Sequence, residues 1–177
     1  MTGQKADRLV FLDETGASTK MTRLYGWGPK SARVVSLTPH GHWKSTTFIG
    51  ALRTTGLTDP MVIDGAMNGE LFLAYVKQQL VPTLKPGDIV VMDNLSSHKS
   101  AAVRAAIEGA GCTLCYLPPY SPDFNPIELA FSKLKTLLRK HAERTVESLC
   151  NRIGQLLETF TTQECRNYFR HCGYTAH

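Results

Sequence analysis

Three acidic residues stand where a metal-dependent site would need them. Asp13 and Asp93 each end an apolar run, and Glu128 opens a predicted helix after a proline-rich loop, with 34 residues between Asp93 and Glu128. Carboxylates are the hard oxygen ligands that magnesium prefers, and two such ions about 3.5–4 Å apart promote in-line displacement at a phosphodiester. If the three side chains meet, they would form a phosphoryl-transfer site.

Each of the three acids also has an ordinary structural interpretation. Asp93, with Asn94 beside it, could cap a following helix and turn the chain. Asp13 could accept amide hydrogen bonds at a strand end, and Glu128 could be a first-turn glutamate favoured by the helix dipole. One position alone decides nothing, whereas three acids at three matching places indicate a shared site.

Hydrophobic periodicity predicts the elements that position these acids. Buried strands are predicted over 8–13, 88–93 and 112–117. A hairpin is predicted from the segments 33–37 and 43–52, and a strand end is predicted at 60–63. Helices are predicted from Asn68 to about 80, near 97–109, near 126–140, and as one or two helices within 145–170.

This order of elements matches a ribonuclease H-like α/β fold. An antiparallel hairpin would lie on one side of a mixed five-stranded sheet, parallel crossover units on the other, and further helices would trail at the C-terminal end. The strands ending at Asp13 and Asp93 would be neighbours, with Glu128 approaching from the helix after the last strand. A flavodoxin-like fold is the alternative. Residues 1–177 are predicted to form one domain.

Several polar residues near the acids could assist them. Glu14 is the next acid to consider, together with Asp123. Asn94, His98 and Asn125 could orient carboxylates or contact a substrate, or they could make local turn and helix-start hydrogen bonds instead.

Basic and aromatic residues suggest where a polyanion would lie. Lys30 and Arg33 follow the first acidic block, and Lys135 and Arg139 continue the side of the predicted helix on which Glu128 lies. All four could contact phosphates or belong to solvated surfaces. Trp27 could stack on a base, although packing beneath the first loop is favoured.

The composition is that of a globular chain with a modest excess of positive charge. The net charge of +5 and pI near 9.0 are compatible with a polyanionic partner without requiring one. Five scattered cysteines and a polar N-terminus favour a reduced cytoplasmic setting. Cys112 and Cys115 have the spacing of a zinc or redox pair, but their apolar strand favours small core residues. No apolar stretch approaches the ~20 residues of a membrane span.

Three sequence blocks contain the three acids. They are Phe11–Gly16 (FLDETG), Val91–His98 (VMDNLSSH) and Leu117–Glu128 (LPPYSPDFNPIE). Together with Tyr25–Pro29 and Ile63–Gly69, they resemble the catalytic domain of bacterial insertion-sequence DDE transposases of the mariner-related superfamily. The likeness runs from about residue 8 to 170. It implies that Asp13, Asp93 and Glu128 are the catalytic, metal-binding triad.

The resemblance also implies a reaction and its partners. The reaction would be DNA strand cleavage and strand transfer at insertion-sequence ends, with two Mg²⁺ ions for which Mn²⁺ can substitute. The partners would be transposon-end and target DNA, bound by a homodimer, and we expect a bacterial cytoplasmic protein that joins the nucleoid when bound to DNA and does not enter a membrane. A structure-specific nuclease of the same fold is one alternative, and an inactive remnant that binds DNA or an intact transposase is another.

The position of Asp13 bears on how such a protein would find its DNA. Only 12 residues precede Asp13, too few for the helix-turn-helix domains that such transposases place before the catalytic domain. The sequence therefore predicts a catalytic half. It would be either a truncated remnant or part of a split transposase with a separately encoded N-terminal DNA-binding half.

Overall fold

Five β-strands form the centre of the fold. The structure is a computed structural model that describes residues 6–94, 99–119 and 121–174. The strands are β1 (Leu9–Ser18), β2 (Ser45–Arg53), β3 (Gly56–Asp64), β4 (Ile89–Met92) and β5 (Thr113–Tyr116), and their order across the sheet is β3-β2-β1-β4-β5. β1, β2 and β3 pair antiparallel, whereas β4 runs parallel to both β1 and β5. The mixed five-stranded sheet predicted from the sequence is confirmed.

Helices cover both faces of this sheet. They are α1 (Gly69–Tyr75), which continues into a π-helical turn (Val76–Leu80), then α2 (Ala101–Gly109), α3 (Pro126–His141), α4 (Val146–Leu157) and α5 (Thr162–His171). The predicted trailing helices are therefore two, α4 and α5. Within the described ranges, no helix is long and apolar enough to cross a membrane.

The sheet separates two apolar cores because side chains alternate along each strand. Phe11 and Val91 lie in one core with Phe131 of α3 and residues of α4 and α5. Leu12 and Met92 lie in the other core with residues of α1 and α2. Helices α3, α4 and α5 thus share one face of the sheet, and α1 and α2 share the opposite face.

β1 is longer than the sequence indicated. Its pairing with β2 does not stop at Asp13 but continues to Ser18, which lies opposite Ser45. Thr15 and Ala17 are buried beyond Asp13, so the alternation persists. The parallel neighbour β4, in contrast, ends at Met92. Asp13 therefore lies in the middle of β1, at the point where its parallel neighbour stops.

The predicted hairpin is wrong in its first strand. Residues 33–37 form no strand, and β2 pairs with β3 through a turn at Thr54 and Thr55. Both edges of β2 are occupied, by β1 and β3, so no edge is left for the segment 33–37. Val35 and Leu37 are 80% and 95% exposed. Their β-branched and apolar pattern favours a strand only where one face is buried.

α2 begins later than predicted because its N-cap is Ser100. The Ser100 hydroxyl accepts hydrogen bonds from the backbone amides of Ala102 and Val103 at 3.2 and 3.4 Å. The helix therefore starts at Ala101, and the predicted start near residue 97 lies outside the described residues. The interpretation of Asp93 or Asn94 as the cap of this helix is also wrong.

Cys112 and Cys115 do not form a paired site. Cys112 packs in the core beneath α1 and α2, whereas Cys115 packs against the core beneath α3, α4 and α5. Side chains three residues apart on an extended chain point to opposite faces. Both thiols are free, and the prediction that they serve as small core residues is confirmed.

Candidate active site

Asp13 and Asp93 occupy neighbouring positions across the sheet. The parallel register pairs Phe11 with Val91 and Leu12 with Met92, and the two acids are the next residues of their segments. Phe11 and Val91 lie in the core beneath α3. Residues two positions further along face the same side. The strand register therefore places both carboxylates beneath the start of α3.

The start of α3 brings Glu128 to this end of the sheet. Pro126 is the first helical residue, where its fixed φ suits the helix and its missing N–H leaves no donor unpaired. Ile127 is fully buried and holds the first turn against the sheet. Glu128 follows as the third helical residue and is exposed, in a turn where the helix dipole favours a carboxylate.

Asn125 connects α3 to β1 directly. It holds the N-cap position of α3, yet its side chain makes no capping hydrogen bond. Its Nδ2 instead donates to Oδ2 of Asp13 at 2.9 Å, in a buried contact. The backbone amide of Glu14 donates to Oδ1 of Asp13 at 2.8 Å. Each oxygen of the Asp13 carboxylate therefore has a fixed donor.

Burial gives Asp13 an unusual affinity for a proton. It raises the pKa of the carboxyl from 3.8 to about 7. The hydrogen bond from the Glu14 backbone amide lowers the pKa, while the charges of Asp93, Glu128 and Glu14 raise it further. Asp13 is only 6% exposed, so solvent screens these charges poorly. Positive charge placed beside it would be electrostatically favoured.

The three acids share one cavity of about 380 Å³. Its polar lining consists of Asp13, Asp93, Asn94, Asn125 and Glu128. The proline-rich segment after β5 forms a wall of the cavity through Leu117, Pro118, Pro119, Ser121 and Pro122. Proline fixes the backbone, so this wall is stiff. The lining of the cavity therefore combines three carboxylates with a largely apolar proline-rich segment.

The three carboxylates line the same cavity, but they are not close enough together to bind one metal ion. Among the described residues, no three His, Cys, Asp or Glu side chains are close enough to hold a metal ion. Asp13 is buried, Asp93 is half-buried and Glu128 is exposed. The predicted triad is therefore brought together at the level of one cavity, and the structure does not show it as a formed metal centre.

The other predicted site residues are divided between the cavity and the surface. Asn94 and Asn125 line the cavity, whereas Glu14 contributes its backbone amide. Asp123 is exposed in a 3-10 turn outside the cavity. His98 lies outside the described residues.

The predicted basic and aromatic residues lie outside the cavity. Lys135 and Arg139 are half-buried on α3, and Lys30 and Arg33 are exposed in the segment between β1 and β2. Trp27 belongs to the same segment and is fully exposed. The prediction that Trp27 packs beneath the first loop is therefore wrong.

The wall of the cavity was not predicted from the sequence. Leu117, Pro118 and Pro119 follow β5, and the backbone amide of Leu117 donates to the carbonyl of Met92 at 2.8 Å. This bond continues the β4–β5 pairing by one residue and sets the wall beside Asp93. Several prolines close behind a strand were the available signal, because they fix a rigid path next to the strand end.

Comparison with known proteins gives the chain a family and a fold. Residues 8–150 match the sequence profile described as DDE superfamily endonuclease. No curated protein sequence matches the chain significantly. The mariner Mos1 paired end complex with Mg contains a similar structure, with 17% identity and a TM-score of 0.75 over 94% of this chain and 54% of that one.

Two further structures are similar. The Mos1 Strand Transfer Complex has 19% identity and a TM-score of 0.74 over 94% of this chain and 51% of that one. The catalytic domain of Mos1 mariner transposase has 17% identity and a TM-score of 0.65 over 94% of this chain and 76% of that one. At this identity the likeness shows the fold, and the chain spans about half the length of the chains in the two complexes.

Proposed function

Because the chain belongs to the DDE superfamily endonucleases, we propose that its cavity is the active site of a transposase catalytic domain. The domain cleaves a DNA strand at an insertion-sequence end and joins the freed 3′ end to target DNA. The observation that carries this proposal is that Asp13, Asp93 and Glu128 line one cavity. They lie in β1, directly after β4 and in α3, respectively.

The donor set of the cavity suits a divalent cation. Asp13, Asp93 and Glu128 supply hard oxygen ligands, which favour magnesium or manganese over zinc. Glu128 is exposed and has three rotatable bonds, so its carboxylate is free to change rotamer within the cavity that it shares with Asp13 and Asp93. Bound there, two such ions would supply an activated water and charge stabilisation at the phosphodiester.

The residues of the chain orient and enclose this chemistry. Asn125 and the Glu14 amide fix the plane of the Asp13 carboxylate, so it needs little reorganisation to accept a ligand. The proline-rich wall limits where a phosphodiester can lie. Attack by water on phosphorus breaks the bond to the 3′ oxygen and leaves a 3′ hydroxyl. That hydroxyl then attacks a target phosphodiester in the same way, so no covalent protein intermediate is needed.

The basic face of α3 extends away from this site. Lys135 and Arg139 lie seven and eleven positions after Glu128, which places them about 10 and 16 Å along the helix. In the described part of the chain, neither side chain has a hydrogen bond or an ion pair, so both cations are available to phosphates. We assign them to the DNA backbone leading away from the cleaved bond.

The assembly follows from the reaction. A transposon has two ends, so two copies of the chain, acting as a homodimer on DNA, would treat both. The described residues form one sheet with its covering helices, and we assign sequence-specific recognition of the ends to a separate helix-turn-helix part. A bacterial enzyme of this kind would work in the cytoplasm, at the nucleoid.

The test is metal-dependent processing of a duplex that carries an inverted repeat flanking the coding region. We expect the chain to cleave or join this DNA with Mg²⁺ or Mn²⁺ and to lose the reaction on Asp93→Asn. Asp64→Asn is the matched control, because Asp64 is exposed at the end of β3 and does not line the cavity. Activity that persists in Asp93→Asn would refute the site. Cutting without joining would indicate a nuclease, and binding without reaction would indicate a remnant.

A further inference from the structure

A long exposed segment separates β1 from β2. Residues 19–44 contain no helix and no strand, and every residue from Arg23 to Lys44 is exposed except Pro39, which is half-buried. Trp27 is 103% exposed and Tyr25 90%. Connections longer than about 12–15 residues without secondary structure are uncommon in compact domains and are usually either functional segments or linkers. Residues 19–44 join two paired strands of one sheet, so they do not link separate domains.

The segment contains the excess positive charge of the whole chain. It includes five basic residues and no acidic residue; its cations are Lys20, Arg23, Lys30, Arg33 and Lys44. The chain has 20 Lys and Arg against 15 Asp and Glu, so 15 of each sign remain elsewhere. We call residues 19–44 the basic arm.

The base of the basic arm is fixed to the domain. The Thr19 amide donates to the Lys44 carbonyl at 3.1 Å, and the Lys44 amide donates to the Thr19 hydroxyl at 3.2 Å. Arg144, in the connection between α3 and α4, donates to the carbonyls of Thr19 and Met21 at 3.0 Å each. Lys20 Nζ lies 3.9 Å from the centroid of the Trp43 ring. The basic arm therefore leaves the sheet in a defined direction.

Glycines on both sides of Trp27 present its side chain to solvent. A Cβ at Gly26 would come within 2.9 Å of Val34, and one at Gly28 within 2.8 Å. The backbone on either side of Trp27 thus packs directly on the Val34 side chain, which larger residues would prevent. Because the Val34 side chain already covers the backbone at Gly26 and Gly28, the indole of Trp27 projects away from the rest of the segment.

The basic arm leaves from the same end of the sheet as the candidate active site. β1 continues five residues past Asp13 before the basic arm begins. At about 3.3 Å per residue, this places the base of the arm roughly 17 Å from the carboxylate. One strand of duplex DNA advances about 3.4 Å per nucleotide, so the separation equals roughly five base pairs.

We propose that the basic arm is a DNA-binding surface in which lysines and arginines contact phosphates and Trp27 stacks on an unpaired base. The proposal rests on the proposed action on DNA and adds a second contact region outside the cavity. Exposed aromatic side chains interspersed with cations are the combination that binds unpaired nucleic acid.

The charge pattern favours DNA over a protein partner. Cations flank both groups of exposed apolar residues in the basic arm: Arg23 and Lys30 enclose Leu24, Tyr25 and Trp27, and Arg33 and Lys44 enclose Val34, Val35, Leu37 and Trp43. The cores of protein interfaces are depleted in charged residues, and lysine is depleted from them in particular. A surface of one sign of charge with no acidic residue matches a polyanion instead.

The fluorescence of the chain offers a direct measurement. Its two tryptophans, Trp27 and Trp43, both lie in the basic arm. Tryptophan emission from the full chain therefore reports on this segment alone. We would titrate the chain, in EDTA so that no cleavage occurs, with a duplex that carries a short single-stranded overhang and with the same duplex made blunt.

We expect Trp27→Ala to weaken binding of the overhang DNA about 5- to 100-fold, because the variant loses the side chain on which one base stacks. Leu37→Ala is the matched control, because Leu37 is 95% exposed in the same segment but has no aromatic face. Replacing both Lys30 and Arg33 with Gln should reduce the slope of log affinity against log salt by about 0.9 for each duplex phosphate that the variant no longer neutralises. Lys77→Gln with Lys85→Gln, two exposed lysines outside the arm, should leave that slope unchanged.

Two results would overturn the proposal. One is equal DNA affinity for Trp27→Ala, the Lys30 and Arg33 double variant and wild type. The other is a shift in the monomer–dimer equilibrium on both Trp27→Ala and Leu37→Ala without a change in DNA binding, which would identify a protein interface. Because binding is measured without metal, either result is distinct from failure of cleavage, which tests the cavity.

Discussion

Asn125 and Asp13 lie 112 residues apart in sequence and share a buried hydrogen bond of 2.9 Å. An asparagine at an N-cap ordinarily accepts a bond from an amide of its own helix. In α3 the side chain donates to the carboxylate on β1 instead. One contact therefore fixes the start of the helix that carries Glu128 relative to the strand that carries Asp13.

Replacement of Asn125 should weaken the response to metal. We expect Asn125→Leu to raise the Mg²⁺ concentration needed for half-maximal cleavage by about 10- to 100-fold, the usual effect of removing a residue that orients a ligand. The physical reason is that Oδ2 of Asp13 loses its donor and the carboxylate can rotate. Cleavage rates measured over a range of Mg²⁺ concentrations would show the change.

Asn68→Leu is the control for that experiment. Asn68 caps α1, where its Oδ1 accepts a hydrogen bond from the Leu71 amide at 2.9 Å. Asn68 does not line the cavity. Its replacement should reduce the free energy of unfolding by about 1 kcal/mol while leaving the Mg²⁺ requirement unchanged. Matching Mg²⁺ curves for Asn125→Leu and wild type would contradict the role given to Asn125.

The buried Asp13 should make metal-free stability depend on pH. Its pKa is raised from 3.8 to about 7, so the folded state binds the proton more tightly than the unfolded state between these values. The stability gained from this proton is complete below pH 3.8 and is lost as pH rises through about 7. At about 1.4 kcal/mol per pH unit, the loss is on the order of a few kcal/mol.

Urea unfolding in EDTA at several values between about pH 5 and 8 would measure this dependence. Asp13→Asn has no carboxyl to titrate, and Asn125 can turn its amide to keep the hydrogen bond. The difference in unfolding free energy between Asp13→Asn and wild type should therefore widen in favour of the variant as pH rises. A constant difference across this range would show that Asp13 does not titrate there.

Two lysines on α3 should behave differently although they are two residues apart. Lys133 Nζ lies 2.6 Å from Glu164 Oε2 and 2.9 Å from the Thr159 carbonyl, which ties α3 to α5. We expect Lys133→Gln to reduce the free energy of unfolding by about 1–2 kcal/mol because partly buried charged hydrogen bonds are removed. DNA affinity should change little.

Lys135→Gln should give the opposite result. The unfolding free energy should stay within about 0.5 kcal/mol of wild type, as for most surface substitutions. DNA affinity should fall, with a salt slope reduced by about 0.9. Thermal unfolding and DNA titrations of both variants would test the pair, and the reverse pattern would place the DNA path on the other side of α3.

Arg144 should control how firmly the basic arm is attached. Removal of its two bonds to Thr19 and Met21 in Arg144→Gln takes away about 1 kcal/mol of local stabilisation, equivalent to roughly 5-fold more opening. Trypsin should then cut faster after Lys20 and Lys44, which mass spectrometry can follow. Arg104→Gln removes an exposed ion pair with Glu108 and a cation–π contact with Tyr116, both outside the basic arm, and should leave these cuts unchanged.

The arrangement of the sheet was predictable because it depends on local patterns. Apolar runs marked the buried cores of β1, β4 and β5, and Pro126 marked the start of α3. The length of β1 was not predictable in this way. Its second half, through Thr15 and Ala17, owes its pairing to β2, which is distant in sequence. The failed strand at 33–37 shows the same effect, since its partner edge was already occupied by β3.

The site was predictable in its residue types and less so in its construction. The three acids were identifiable because two of them follow apolar runs and the third lies at a helix start, and these are local properties of the sequence. The Asn125 side chain bonds to Asp13 and does not cap α3. This choice depends on the angle between α3 and β1, which tertiary contacts determine. The full exposure of Trp27 was not predicted. It depends on the packing of Gly26 and Gly28 on Val34, a contact that hydrophobic periodicity does not reveal.

The unequal distribution of charge in this chain also has a kinetic consequence. Outside residues 19–44 the numbers of acidic and basic residues balance, so this one segment dominates the net positive charge. Attraction between opposite charges speeds diffusional encounter, and added salt suppresses it. We therefore expect the association rate constant for DNA to depend on this segment and its dissociation rate constant to depend more on the contacts around the cavity. DNA would meet the projecting segment first and reach the carboxylates afterwards.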